Sequence, residues 1–116
     1  CAVDALERQE IRRILLTRPN RPTALVVANV NAAFGVLLEA RELGIRVPDE
    51  LSIIAIHDVE HAALTDPGLT TVRMPMEQLG RAAVAALVRR IDGGEVEHLT
   101  VEGDVEVIER GSVREL

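Results

Sequence analysis

Three polar residues that follow apolar runs could bind a small molecule. Asn29 comes directly after the run at residues 23–28, and His57 and Asp58 come directly after the run at residues 51–56. Apolar runs without alternation are typical of parallel strands that helices cover on both faces. In such sheets, ligands bind in the crevice outside the carboxyl ends of the strands. The sequence therefore predicts a small-molecule site at Asn29, His57 and Asp58.

Each of these side chains also has a structural explanation. Asparagine is favoured in turns, so Asn29 could serve only the corner before a helix. His57 could simply end its strand. His57, Asp58 and His61 could be metal ligands, but the helical pattern fails in this segment and no fourth ligand is evident. We predict neither a metal nor a cofactor.

The composition and the missing motifs exclude several function classes. The 116 residues contain no glycine-rich phosphate loop and no G-x-S-x-G motif, so we predict that the chain is not an enzyme. The formal charge of −6, without any lysine, leaves no basic stripe for binding DNA. The single cysteine, Cys1, permits no intrachain disulfide. No apolar run is long enough to span a membrane.

Helical and strand patterns alternate along the chain, as in an α/β protein. The first apolar run, the helix after it and the second apolar run form a βαβ unit, for which a right-handed crossover is the rule. Pro75 and the glycines at residues 93–94 bound the longest helix, in the usual order of proline before and glycine after. Helices are predicted at residues 2–17, 31–43 and 76–92, strands at residues 23–28, 51–56, 69–72, 96–101 and 105–109, and one helical turn at residues 60–64.

Several longer motifs resemble those of one protein family. The most specific are residues 42–54 (ELGIRVPDELSII) and residues 66–75 (DPGLTTVRMP). Shorter matches occur at residues 21–24, 28–29, 79–83 and 110–112. Together they make the chain similar, from about Ala5 onward, to the carboxyl-terminal part of the lactose-repressor/galactose-repressor family of bacterial transcription regulators.

The resemblance implies an α/β fold: an incomplete three-layer αβα lobe of the periplasmic-binding-protein-like type, built on a parallel sheet. Members of the family have two such lobes with an effector between them, and an amino-terminal helix-turn-helix domain that binds DNA as a dimer. By this resemblance, residues 1–75 belong to the second lobe, residues 76–103 complete the first lobe, and residues 104–116 return to the second. We expect DNA binding only through a helix-turn-helix, which this sequence does not contain.

Two departures from the family pattern fall at the predicted site. The family usually has Asn-Asp where this chain has Asn29-Val30, and an acid that often holds an effector hydroxyl where this chain has His57. A carboxylate can accept two hydrogen bonds, whereas a neutral imidazole offers one donor and one acceptor, so an anionic or keto group should suit His57 better than a sugar diol. Histidine changes charge near neutral pH, so binding would depend on pH. Alternatively, this chain has lost effector binding.

The resemblance also places the helix after Asn29 near a dimer partner. Phe34, the only aromatic side chain, lies on that helix and could belong to the core or to a dimer interface. We assign it to the interface on the basis of the resemblance, together with Ala62, Ala63 and Thr65, which should lie close to it.

These observations predict the effector-sensing and dimerising part of a bacterial transcription repressor in the cytoplasm. Its partners would be a small-molecule effector, sugar-like or a related metabolite, and a second copy of the chain, but no membrane. A periplasmic sugar-binding lobe shares the fold and is the alternative; the motif at residues 69–75, followed by residues 79–81, favours the regulator. An unrelated α/β enzyme lobe is a third hypothesis, which no nucleophile, metal cluster or phosphate loop supports.

Overall fold

The residues that the structure describes form one four-stranded sheet and three helices. This computed structural model describes residues 2–96 and 98–115, with side chains from Gln9 onward; Cys1, on which the disulfide prediction depends, lies outside them. The strands are β1 (Ala24–Val27), β2 (Ser52–Ile56), β3 (Thr70–Arg73) and β4 (Glu106–Ile108). The helices are α1 (Ala2–Thr17), α2 (Val30–Glu42) and α3 (Met76–Ile91), and a 3-10 turn covers Glu60–Leu64.

The first three strands run parallel, and the βαβ pattern predicts this for β1 and β2. They are neighbours in chain order, and β4 pairs with the far edge of β3. β1 pairs with β2 from Ala24 opposite Ser52 to Val27 opposite Ala55. β3 continues the parallel arrangement, whereas β4 is antiparallel to β3. The α/β fold class with a parallel core is therefore confirmed.

The core lies mainly between α2 and the sheet. α2 buries one face whose members recur every three or four residues, the spacing that places side chains on one side of a helix. Ile53 and Ala55 of β2 meet this face, and Leu16 brings α1 into the same cluster. Full burial of a leucine, isoleucine or valine side chain contributes about 1.5–3 kcal/mol to the free energy of unfolding. The buried apolar residues of α2 are Val30, Ala33, Val36 and Ala40.

Both ends of α2 have a local cause. The Asn29 side chain caps the amino end, where its Oδ1 accepts a hydrogen bond from the Ala32 N–H at 2.9 Å. Gly44 follows the carboxyl end with φ of 71°, a conformation that favours glycine because it has no Cβ. The predicted helix end at Gly44 is confirmed.

Two expectations about strands are wrong. Residues 96 and 98–101 form no strand, and Val96 and Leu99 remain exposed. A β-rich pattern becomes a strand only where it finds a partner, and this segment finds none within the described ranges. The first apolar run is not covered on both faces, since Val26 is 74% exposed. β1 lies at the edge of the sheet, and no described residue shields Val26.

The helix α3 stands apart from the core. None of its residues is buried, although it carries an apolar stripe that includes Leu79, Leu87 and Ile91. In the described part of the chain, no helix is long and apolar enough to cross a membrane.

Candidate functional site

His57 lies at the carboxyl end of β2, beside the end of β1. Val27 is opposite Ala55 in the parallel register, so Asn29 and His57 both follow two residues later at the same edge of the sheet. His57 has φ of 74°, a left-handed conformation that few residues other than glycine adopt. Its N–H donates to the carbonyl of Val72 at 2.9 Å. This bond and the sharp turn fix the backbone position from which the imidazole extends.

A depression of about 430 Å³ opens beside His57. It lies between the end of β2, the segment after β3 and the first turn of α3. Asn29 does not line it, so the structure brings together two of the three predicted site residues and leaves the third at the neighbouring strand end. Within the described ranges, no group of three histidine, cysteine, aspartate or glutamate residues could hold a metal ion. The lining residues are His57, Asp58, Arg73, Met74, Pro75, Met76, Glu77, Gln78 and Asp104.

Asp58 is held by three side chains of the protein. Its Oδ1 accepts hydrogen bonds from the Thr71 hydroxyl and from Arg110 Nη2, the latter at 2.8 Å. Its Oδ2 accepts from Arg73 Nη2 at 2.9 Å. Burial raises the pKa of this carboxyl, but the hydrogen bonds from Thr71, Arg73 and Arg110 and the charge of Arg110 outweigh burial and lower the pKa to about 2. Asp58 is therefore a carboxylate at neutral pH with both oxygens engaged.

Arg110 and Ser112 attach the last segment of the chain to the sheet. The Arg110 Nη1 donates to the carbonyl of Leu69 at 2.7 Å. The buried Ser112 hydroxyl donates to the carbonyl of Ile53 at 2.6 Å and accepts from the Thr70 N–H at 2.8 Å. Sequence reasoning gave these residues no chemistry, because their partners lie about 40 to 60 positions earlier. Only the family match at residues 110–112 signalled them.

A second candidate surface lies on the outer side of α2. A groove of about 600 Å³ runs between this helix and the loop after the 3-10 turn. The Phe34 ring lies there, and the centroid of the His61 ring is 5.6 Å from its own. Leu38 and Leu64 are 61% and 83% exposed, unusual values for leucine. The groove is lined by Phe34, Leu37, Leu38, Arg41, Ile45, Val47, Thr65, Asp66 and Pro67.

The four predicted interface residues have different environments. Phe34 and Thr65 line the groove, and Ala63 is exposed. Ala62, in contrast, is fully buried in the hydrophobic core, so it offers no side-chain surface to a partner. Leu64 is exposed instead, because a 3-10 turn places consecutive residues on different sides.

Comparison with known proteins decides between the regulator and the alternatives. A protein family described as a periplasmic binding protein-like domain matches residues 2–113. The HTH-type transcriptional repressor PurR of Yersinia enterocolitica is 38% identical over 99 residues. A LacI family transcriptional regulator from Mycobacterium smegmatis is 36% identical, with a TM-score of 0.82. The chain belongs to the LacI family.

This LacI-family chain corresponds to the periplasmic binding protein-like part of such regulators. It spans only part of its relatives. The match covers 85% of the chain but 29% of the Yersinia repressor, and 94% of the chain but 41% of the Mycobacterium regulator. A dimeric Lac repressor with an 11-residue C-terminal deletion matches 94% of the chain and 40% of that structure, at 27% identity and a TM-score of 0.74. The predicted family is confirmed, and a periplasmic sugar-binding lobe is not favoured.

Proposed function

We propose that this LacI-family chain is the effector-sensing and dimerising part of a cytoplasmic transcription repressor. DNA would be bound by a helix-turn-helix outside this sequence, and the chain itself would catalyse no reaction and contact no membrane. The observation that carries the proposal is the side-by-side ending of β1 and β2. It puts His57 in a depression at the point where the chain leaves the sheet after Arg73.

His57 is the proposed effector contact, with Asn29 and Asp58 completing the site around it. The oxygen of the Asn29 amide caps α2, and the Asp58 oxygens are bonded to other side chains. The His57 imidazole and the N–H groups of the Asn29 side-chain amide therefore favour an effector that presents an acceptor oxygen. Asp104 lines the same depression and opposes negative charge, so a keto oxygen suits the site better than a carboxylate. A sugar-like metabolite with a keto group fits these requirements.

The chain contains three histidines, and their ring signals in an NMR spectrum report on separate places. Dihydroxyacetone, which has a keto group, should shift the His57 signal more than ribitol, a polyol without one. The signal of His61, which lies on the other candidate surface, is the internal control. His57→Asp should reverse the preference, read in this variant from the backbone amide signal of residue 57, because a carboxylate accepts two bonds from a diol. An unchanged preference in His57→Asp would rule out His57 as the contact.

The surface beside α2 is the proposed dimer interface: Phe34 and Thr65 line its groove, and the exposed Ala63 and Leu64 lie in the 3-10 turn before Thr65. A two-fold axis places a surface against itself, so the surface must complement itself. The groove meets this condition, since it carries a cation, Arg41, and an anion, Asp66, beside apolar walls. The dimeric Lac repressor among the similar structures supports this proposal.

Two arginine substitutions distinguish this interface from the other exposed apolar surface. Leu64→Arg should weaken self-association at least tenfold, which is about 1.4 kcal/mol, because it buries a charge at the interface. Leu87→Arg on α3 is the matched control, since Leu87 is 59% exposed. Sedimentation velocity over a concentration series measures both. Loss of the dimer only in Leu87→Arg would move the interface to α3, and no change in either variant would remove the proposed interface.

The division of the chain into segments is also a proposal. Residues 76–103 would pack on the other lobe of the full regulator, which agrees with the absence of buried residues in α3. The coding sequence upstream of residue 1 tests the regulator role directly. A helix-turn-helix encoded in frame is expected, whereas a signal peptide would favour the periplasmic alternative.

A further inference from the structure

We propose that Asp58 is a positioning residue that couples His57 to the two places where the chain leaves the sheet and returns to it. Asp58 would thus act on the effector response through Arg73 and Arg110 rather than through the effector itself. This inference rests on the proposed effector-sensing function and describes how a signal would leave that site.

The departure point is Arg73, the last residue of β3. Its Nη2 bonds to Asp58 Oδ2 at 2.9 Å, and its Nη1 bonds to Glu106 Oε2 on β4 at 3.2 Å. The Arg73 side chain is 53% exposed. Asp58 and Glu106 are the two acids that it contacts among the described residues. Residues 74–96 and 98–105 then lie outside the sheet and include α3, which has no buried residue. The orientation of this segment, where it leaves the sheet, therefore depends on the contacts of the Arg73 side chain.

The return point is Arg110, two residues after β4. Its Nη2 bonds to Asp58 Oδ1 at 2.8 Å, and its Nη1 bonds to the carbonyl of Leu69 and to the Thr71 hydroxyl, at 2.7 and 2.9 Å. Arg110 is 16% exposed, and its backbone N–H donates to the Thr70 side chain. Arg110 is thus a fixed anchor. The Asp58 carboxylate thus joins the exposed side chain of Arg73 to the largely buried side chain of Arg110.

The link to the cleft is the peptide between His57 and Asp58. A ligand that moves the imidazole moves this peptide, and both Asp58 oxygens are engaged, so Asp58 cannot shift without shifting its partners. Movement of Asp58 away from Arg110 would separate a largely buried ion pair, a change that is strongly unfavourable. The backbone bond from His57 to Val72 offers a second route to β3, which the experiment must separate from the first.

Protonation of His57 provides a defined perturbation of the cleft, because it adds a positive charge to the imidazole. The charged groups that face it are Asp58, Arg73, Glu77 and Asp104, and Glu77 is bonded to Arg81 on its own helix. Amide NMR signals of residues 74, 76, 77 and 106–108 should change with pH together with the His57 ring signal in the full 116-residue chain. His57→Gln should abolish this response, which identifies His57 as its source.

Asp58→Asn should reduce the response of both groups of amides to less than half. Asp49→Asn is the matched control, because it makes the same substitution in a carboxylate that pairs with Arg46 outside the depression, and it should leave the response intact. The backbone bond of His57 to Val72 persists in every variant. An unchanged response in folded Asp58→Asn would assign the coupling to that bond and overturn the proposal.

Arg73→Gln provides a test that does not depend on the stability of Asp58→Asn, because Arg73 is largely exposed. It should remove the response of residues 74, 76 and 77 and retain that of residues 106–108. Loss of both responses, or of neither, would contradict separate coupling through the two arginines. Either failure, together with a dimer that Leu64→Arg still dissociates, would remove the role of Asp58 and leave the proposed function in place.

Discussion

Single side chains at the carboxyl edge of the sheet have distinct tasks. His57 stands in the depression with a turned backbone, Asn29 caps a helix, and Asp58 joins three elements through Thr71, Arg73 and Arg110. Of the two neighbours, His57 has no side-chain hydrogen bond to another described residue, whereas both oxygens of Asp58 are bonded within the protein. Substitutions of the second should therefore affect stability first.

Asp58→Asn should lower the free energy of unfolding by about 2–3 kcal/mol, because it weakens hydrogen bonds to charged partners and leaves Arg110 without its counter-charge. Urea unfolding at neutral pH measures this change. Asp49→Asn is again the control and should change the free energy by less than about 0.5 kcal/mol, since its ion pair with Arg46 is exposed. Equal effects of the two substitutions would contradict the burial argument.

Stability should also fall in acid because of Asp58. Its pKa is about 2 in the folded protein against an ordinary value of 3.8. A lowered pKa stabilises the fold above the ordinary value, and this contribution disappears as the pH falls toward 2. It amounts to about 2 kcal/mol. The pKa of Glu50 is also lowered, through its hydrogen bond with Arg46, but that pair is exposed and screened.

Comparison of wild type with Asp58→Asn isolates the Asp58 contribution to the acid response. The difference between their free energies of unfolding should shrink by about 2 kcal/mol between pH values of about 5 and about 2. Urea unfolding at a series of pH values measures it. A difference that is independent of pH would mean that the carboxylate has no net stabilisation from its partners.

Among the secondary-structure elements, the last segment is joined to the sheet by side chains more than by strand pairing. β4 has three residues, and the buried Ser112 continues the attachment beyond it to β2 and β3. The carbonyl of Ile53 and the N–H of Thr70 both depend on this hydroxyl. A buried polar group without a partner lowers stability by about 1–3 kcal/mol.

Ser112→Ala should therefore lower the free energy of unfolding by about 2 kcal/mol or more, because two backbone groups lose their partner together. Ser52→Ala is the control: the Ser52 hydroxyl accepts one exposed bond from the Arg114 N–H at 3.2 Å, so its loss should matter much less. Chemical denaturation of both variants measures the difference. Equal values would mean that water replaces the Ser112 hydroxyl.

In the molecule as a whole, the sheet and α2 form the stable part, and α3 does not pack against them in the described structure. Isolated helices of about this length are marginally stable in water unless packing supports them. The 16 residues of α3 have no such support in the described structure, whereas Ile53 and Ala55 of β2 are fully buried. Local stability should therefore differ sharply along the chain.

Amide hydrogen exchange should be fast throughout α3 and slowest in β2. Leu87→Ala should change the global free energy of unfolding by less than about 0.5 kcal/mol, since Leu87 is exposed. Ile53→Val should lower it by about 0.5–1.5 kcal/mol, because it removes a methylene from the core. Protection of α3 equal to that of β2 would show that a second copy or another surface covers this helix.

The sequence by itself determined the parallel pairing of β1 and β2, the bounds of α2 to within one residue, and the family. Unbroken apolar runs, Gly44 and local motifs such as residues 66–75 act over short stretches of chain, so a linear pattern records them. It also located His57 at the edge where two strands end, because register follows from parallel pairing.

Only the tertiary structure decided which faces are buried and which polar groups are engaged. Glu39 of α2 is 2% exposed and lies 3.7 Å from Arg13, although charged residues are usually outside. Ala62 is in the core while its neighbour Leu64 is exposed, and Asp58 is bound by Arg110, which lies 52 residues later. Such contacts depend on how distant segments meet in space, and no local spacing of residue types encodes that meeting.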